Sequence, residues 1–136
     1  KTVLCQPRNI AGLRNEIVGM RQKMHDGHPN PSQLFDIKHD RGGMVDIEFM
    51  VQFLVLAHAA THPELTANSG NLALLELSSR LGLIDSRLSR EVQEIYRSLR
   101  RLQHKMRLNS SAPSRIAHGE INVAPVLELW ETLFPA

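Results

Sequence analysis

Apolar residues fall into five stretches of helical spacing along the chain. In the first, about Asn9 to Asp26, Ile10, Leu13, Ile17, Met20 and Met24 recur at steps of three and four, which sets one stripe on an amphipathic helix. Arg14, Glu16, Arg21, Gln22 and Lys23 fall on its other faces, and Gly27 and Pro29 end it. From Met44 to Ala60, thirteen residues are apolar and they cover nearly every face. A helix that is apolar all round belongs in the middle of a bundle. This predicts a second helix over about Val45 to Thr61, stopped by His62-Pro63. Leu74, Leu77 and Leu81 mark a short third helix over Leu72 to Leu81, with Gly82 as its C-terminal cap.

The fourth stretch has the cleanest period. Leu88, Val92, Ile95, Leu99, Leu102 and Met106 alternate steps of four and three, a seam for packing against other helices. Asp85 is placed to cap this helix, Ser86 to Leu108. Asn122 can cap a last helix, Val123 to Phe134, whose first turn tolerates Pro125 because the missing N–H has no intrahelical partner there. Its buried side is Val126, Leu127, Trp130, Leu133 and Phe134. His28 to Gln33, Asn68 to Asn71 and Asn109 to Asn122 read as loops, and Leu34 to Lys38 as a brief extended segment. The expectation is one domain over residues 1–136, an all-α bundle of about five helices with no significant sheet.

Composition narrows the function classes. A chain of 136 residues can bury a core without a metal or disulfide staple. The net charge of +2 is too small to imply nucleic acid. The lone cysteine, Cys5, cannot form an internal disulfide and has no His partner in sequence, which suits a reducing compartment such as the cytoplasm. The apolar run from Met44 to Ala60 is broken by Asp46, Glu48, Gln52 and His58, so no membrane span is expected. The chain opens at Lys1 rather than Met, inside an apparent helical pattern, and reads as a fragment of something longer.

Chemistry concentrates in Lys38 to Glu48. Gly42 and Gly43 let the backbone turn tightly just before a helix whose first N–H groups have no intrahelical partner. With Lys38 and Arg41 upstream, such a helix start could hold an anion, phosphate above all. The plainer alternative is a tight turn, with Asp46 stabilising the start of the helix. No Walker loop is present. Asp46 and Glu48, two apart on a helix, point in nearly opposite directions and form no acid/base pair, whereas Glu48 and Gln52 share a face.

The string from Phe35 to Ala59 resembles the glutamine synthetase adenylyltransferase family. Lys38, Gly42, Gly43, Asp46, Ile47, Glu48, Phe49 and Gln52 match its Lys-x-x-x-Gly-Gly-x-x-Asp-Ile-Glu-Phe-x-x-Gln pattern. Asn71, Leu81-Gly82-Leu83-Ile84 and Tyr96-x-x-Leu99-Arg100-x-x-x-His104 are also similar to the family. The resemblance covers most of the chain and weakens across Asn109 to Glu120. It implies the helical domain that follows the C-terminal, adenylylating half of an enzyme with two nucleotidyltransferase halves. One half adds AMP to a glutamine synthetase tyrosine, and the other removes it. The intact enzyme would use ATP and Mg²⁺. Its partners would be glutamine synthetase, the PII signal protein and its own nucleotidyltransferase domain. The family's Gly-Ser and Asp-x-Asp catalytic segment is absent from this sequence. No catalytic or metal residue is therefore expected here, and the chain alone should be inactive. Lys38, Gly42, Gly43, Asp46 and Glu48 are the candidates for facing nucleotide or active site. A second reading is a non-catalytic module binding PII or glutamine. A third is the sister enzyme that uridylylates PII, whose sequence after the glycines differs.

Three further groups have plain readings. Arg97, Arg100, Arg101, His104, Lys105 and Arg107 make the fourth helix basic on its outer side. Without a DNA-binding motif or interleaved aromatics, this reads as a solvated face. His58 and His62 have metal-compatible spacing but no third ligand nearby. The five methionines Met20, Met24, Met44, Met50 and Met106 read as core filler.

Overall fold

The computed structural model describes residues 9–66, 70–109 and 115–135. Five helices account for most of them: α1 (Ile10–Gly27), α2 (Met44–His58), α3 (Asn71–Arg80), α4 (Ser86–Asn109) and α5 (Ala124–Leu133). A 3₁₀ turn, Pro63–Thr66, follows α2. Two short strands, β1 (Phe35–Asp36) and β2 (Arg115–Ile116), pair antiparallel with Phe35 opposite Ile116. The fold is an all-α bundle with this one clasp.

Helix α2 is the axis and packs against α1, α3, α4 and α5. Ile47, Met50, Phe53 and Leu54 are almost fully buried, as its apolar sequence predicts. The α4 seam is buried from Leu88 through Leu99, while Leu102 and Met106 are half-buried beyond it. Local signals set the helix ends. Asn9 accepts the Gly12 N–H at 3.1 Å, and Asp85 accepts the Leu88 N–H at 2.9 Å. Gly82, at φ +77°, closes α3, and the Leu83 N–H reaches back to Ser78 O. Asn122 accepts the Ala124 N–H, and α5 begins one residue later than expected.

Helix α1 departs from its predicted stripe. Leu13 and Ile17 are buried as expected, but the third buried position is Arg21, assigned by sequence to a polar face. Met20 and Met24 are exposed rather than core. Arg21 turns inward because α2 and α5 offer it a carboxylate and an aromatic face, described below. The second helix ends at His58, before Thr61, and it is not covered all round: Glu48 and Gln52 are exposed. On α5, Leu127 is exposed and Leu129 takes the buried place.

Candidate functional site

The glycine pair is shaped by packing. Gly42 sits at φ +89°, and a Cβ there would meet Val123 Cγ2 at 2.7 Å. A Cβ on Gly43 would lie 2.7 Å from Ile37 O and 2.9 Å from Asp40 O. The turn also satisfies its own donors. Gly42 N–H donates to Asp46 Oδ2 (2.8 Å), Gly43 N–H to Asp40 O, Met44 N–H to Ile37 O and Val45 N–H to Lys38 O. These four donors are therefore already committed, and the turn is not an open phosphate cradle.

Asp46 is the hub of that turn. Besides Gly42 it accepts two hydrogen bonds from Arg21. The Arg21 guanidinium in turn lies 3.8 Å from the centre of the Trp130 ring. One carboxylate thus ties α1, the glycine turn and α5 together. Its position inside the bundle keeps it away from any open site.

Lys38 and Glu48 lie elsewhere, on a cleft of about 410 Å³ lined also by Met24, His28, His39, Val45, Phe49 and Gln52. Met24, Val45 and Phe49 give it an apolar floor, and the two histidines, Lys38, Glu48 and Gln52 supply polar groups, a mixture found in ligand and docking clefts. The His28 and His39 rings stack at 3.9 Å, nearly parallel. Burial, above all, holds His39 below the ordinary imidazole value; the neighbouring Asp36 opposes the shift, while His28 and Lys38 add to it. Asp36 also anchors this loop, accepting the Lys38 and His39 N–H groups.

Glu48 is held from behind. The Tyr96 hydroxyl donates to Glu48 Oε2 at 3.0 Å, and Asn71 Nδ2 donates to the same hydroxyl at 2.9 Å. Burial pushes the Tyr96 phenol up and Glu48 adds to this, while the hydrogen bond from Asn71 works the other way. The phenol stays a donor at neutral pH. This chain of three side chains joins α2, α3 and α4.

A family model described as GlnD PII-uridylyltransferase matches residues 14–115. Curated relatives match along nearly the whole chain. The bifunctional glutamine synthetase adenylyltransferase/adenylyl-removing enzyme of Bordetella bronchiseptica is 50% identical over 96% of it. The enzymes of the same name from Nitrosomonas europaea and Ralstonia nicotianae are 44% and 52% identical over 98% and 97%. The chain belongs to the glutamine synthetase adenylyltransferase family. It spans only 14% to 16% of the length of these relatives. The family model and the relatives name different transferases, and the adenylyltransferase match extends over more of the chain.

Within the chain, the family-like positions divide by structure. Gly42, Gly43 and Asp46 build the turn. Lys38, Glu48, Phe49 and Gln52 face the cleft. Asn71 and Tyr96, which resemble the family but were not expected at a site, position Glu48; they lie 25 residues apart in sequence. Met24, His28 and His39 reach the cleft without a sequence signal beyond being polar or soft residues near a loop. Cys5 lies outside the described residues. Among the described residues no three His, Cys, Asp or Glu converge as metal ligands. His58 lies below the ordinary imidazole value, chiefly through burial and then through His62 and Arg14. No helix among the described residues is long and apolar enough to cross a membrane.

Proposed function

We propose that this chain is the helical domain that follows the adenylylating nucleotidyltransferase half of a bifunctional enzyme acting on a tyrosine of glutamine synthetase. The cleft face docks against that catalytic domain. The carrying observation is that Lys38, Glu48 and Gln52, all in the family-specific segment, line one open cleft while Gly42, Gly43 and Asp46 are consumed in building it. ATP and Mg²⁺ belong to the catalytic domain in this reading, since the family's Gly-Ser and Asp-x-Asp segment is absent from this sequence. The chain's own task is to present a lysine and a fixed carboxylate toward the active site, in a cytoplasmic enzyme.

The test is AMP transfer by the full-length enzyme. Lys38→Ala and Glu48→Gln should raise the KM for ATP or lower turnover, with the fold intact by circular dichroism. Wild-type kinetics in both variants would sink the reading. A regulatory role predicts a different outcome: saturable binding of PII or glutamine by the isolated chain, with catalysis insensitive to Lys38 and Glu48.

A further inference from the structure

A second concavity lies between the start of α3 and the C-terminal half of α4. It measures about 590 Å³ and is lined by Leu72, Arg97, Arg100, Arg101 and His104. We propose that it is a phosphate-binding groove that takes the phosphoryl oxygens of a small polyanion.

The guanidiniums are preset for this. Each is steadied from within α4: Arg97 by Glu94, Arg101 by the Ser98 hydroxyl at 3.2 Å, and Arg100 by the Tyr96 ring, 5.8 Å from its centre. Tyr96 is itself fixed by Asn71 and Glu48. Arginines whose rotamers are already restricted lose less freedom on binding. Their planar forks suit phosphoryl oxygens, which they grip with paired hydrogen bonds.

The charge balance agrees. No acidic residue occurs between Ile95 and Asn109. Among the described residues neither Arg100 nor Arg101 has a carboxylate partner. At the other end of the same helix Arg87 pairs with both Glu91 and Glu128. The cationic excess is thus local to the groove. The N-terminal end of α3 adds its partial positive charge beside Leu72.

The shape separates this ligand from larger anions. Arg97 to His104 spans two helical turns, about 11 Å. That suits a diphosphate or triphosphate group better than an extended acidic peptide. No Phe, Tyr or Trp lines the groove to offer a nucleic-acid base a broad stacking face. The groove shares no lining residue with the docking cleft proposed above, and the inference does not require that docking.

The experiment is titration of the 136-residue chain with inorganic pyrophosphate, ATP and adenosine, followed by amide NMR shifts and calorimetry. Pyrophosphate and ATP should bind saturably, with shifts confined to residues 70–73 and 96–105. Adenosine should not bind. Arg100→Gln with Arg101→Gln should weaken binding about tenfold or more. Arg100→Lys, which keeps charge but loses the fork, should fall between, and Arg90→Gln should bind as wild type. ATP binding tighter than pyrophosphate marks a nucleotide as the source, and equal binding marks phosphate alone; both support the groove. Shifts spread over every basic residue, unchanged affinity in the folded double variant, or stronger binding of poly-glutamate or duplex DNA would overturn it.

Discussion

Arg21 and Asp46 meet through two hydrogen bonds, 2.9 Å from Nε to Oδ1 and 2.6 Å from Nη2 to Oδ2, with both side chains buried. The same carboxylate accepts the Gly42 N–H. Removing one partner of a buried pair strands the other charge, so Asp46→Ala should cost about 3–5 kcal/mol in urea unfolding. Arg21→Met in that background should recover part of the loss. Equal, additive losses would show that the two residues are not coupled.

The glycines should rank by what surrounds them. Gly43→Ala drives a Cβ into two backbone carbonyls, and Gly42→Ala adds a left-handed φ to a clash with Val123. Each should lower stability by several kcal/mol or prevent folding. Gly19, exposed inside α1 with open space around it, should behave oppositely. Gly19→Ala should raise stability by about 0.5–1 kcal/mol, read from the urea midpoint.

Tyr96→Phe removes the link between Glu48 and Asn71 while keeping the ring buried. The expected loss is about 1 kcal/mol. In the full-length enzyme it should also move the kinetics in the direction of Glu48→Gln, because one releases the carboxylate from its anchor and the other removes its charge. A Tyr96→Phe enzyme with wild-type kinetics would separate the hydrogen bond from function.

Stability should fall on mild acidification. His39 and His58 both lie below the ordinary imidazole value, mainly through burial. The unfolded chain then binds more protons than the fold in the window from the depressed pKa up to about 6.5. Stability therefore rises with pH across that window and is lost as pH drops below about 6.5. Urea midpoints compared between pH 7 and pH 5.5 should show the fall. His39→Asn with His58→Gln should flatten it.

Most of the secondary structure was legible because its signals are local. The α4 period, the caps at Asn9 and Asp85 and the Gly82 stop all depend on neighbours within one turn. The clasp between Phe35–Asp36 and Arg115–Ile116 was half legible, as an extended segment without a partner. Its two strands lie far apart in sequence, and two-residue strands carry no pattern.

The candidate site was legible as a motif and hidden as geometry. Lys38 to Gln52 could be read as one functional segment, yet the fold splits it: Gly42, Gly43 and Asp46 go inward, Lys38 and Glu48 outward. The basic side of α4 read as solvated, and Arg97, Arg100, Arg101, His104, Lys105 and Arg107 are exposed as expected; the concavity beside them needs α3, which charge along one helix does not reveal.

Sequence alone determined the five helices, the amphipathic face of α4, the apolar character of α2 and membership of the family, because periodicity, caps and motif identity are written in consecutive residues. Tertiary structure decided that Arg21 is buried and Met20 is not. It also decided that the glycine turn spends its donors on its own chain, and that Tyr96 and Asn71 stand behind Glu48. These outcomes depend on which side chains α2, α3, α4 and α5 bring within hydrogen-bonding reach of one another, and that is settled only when the helices pack.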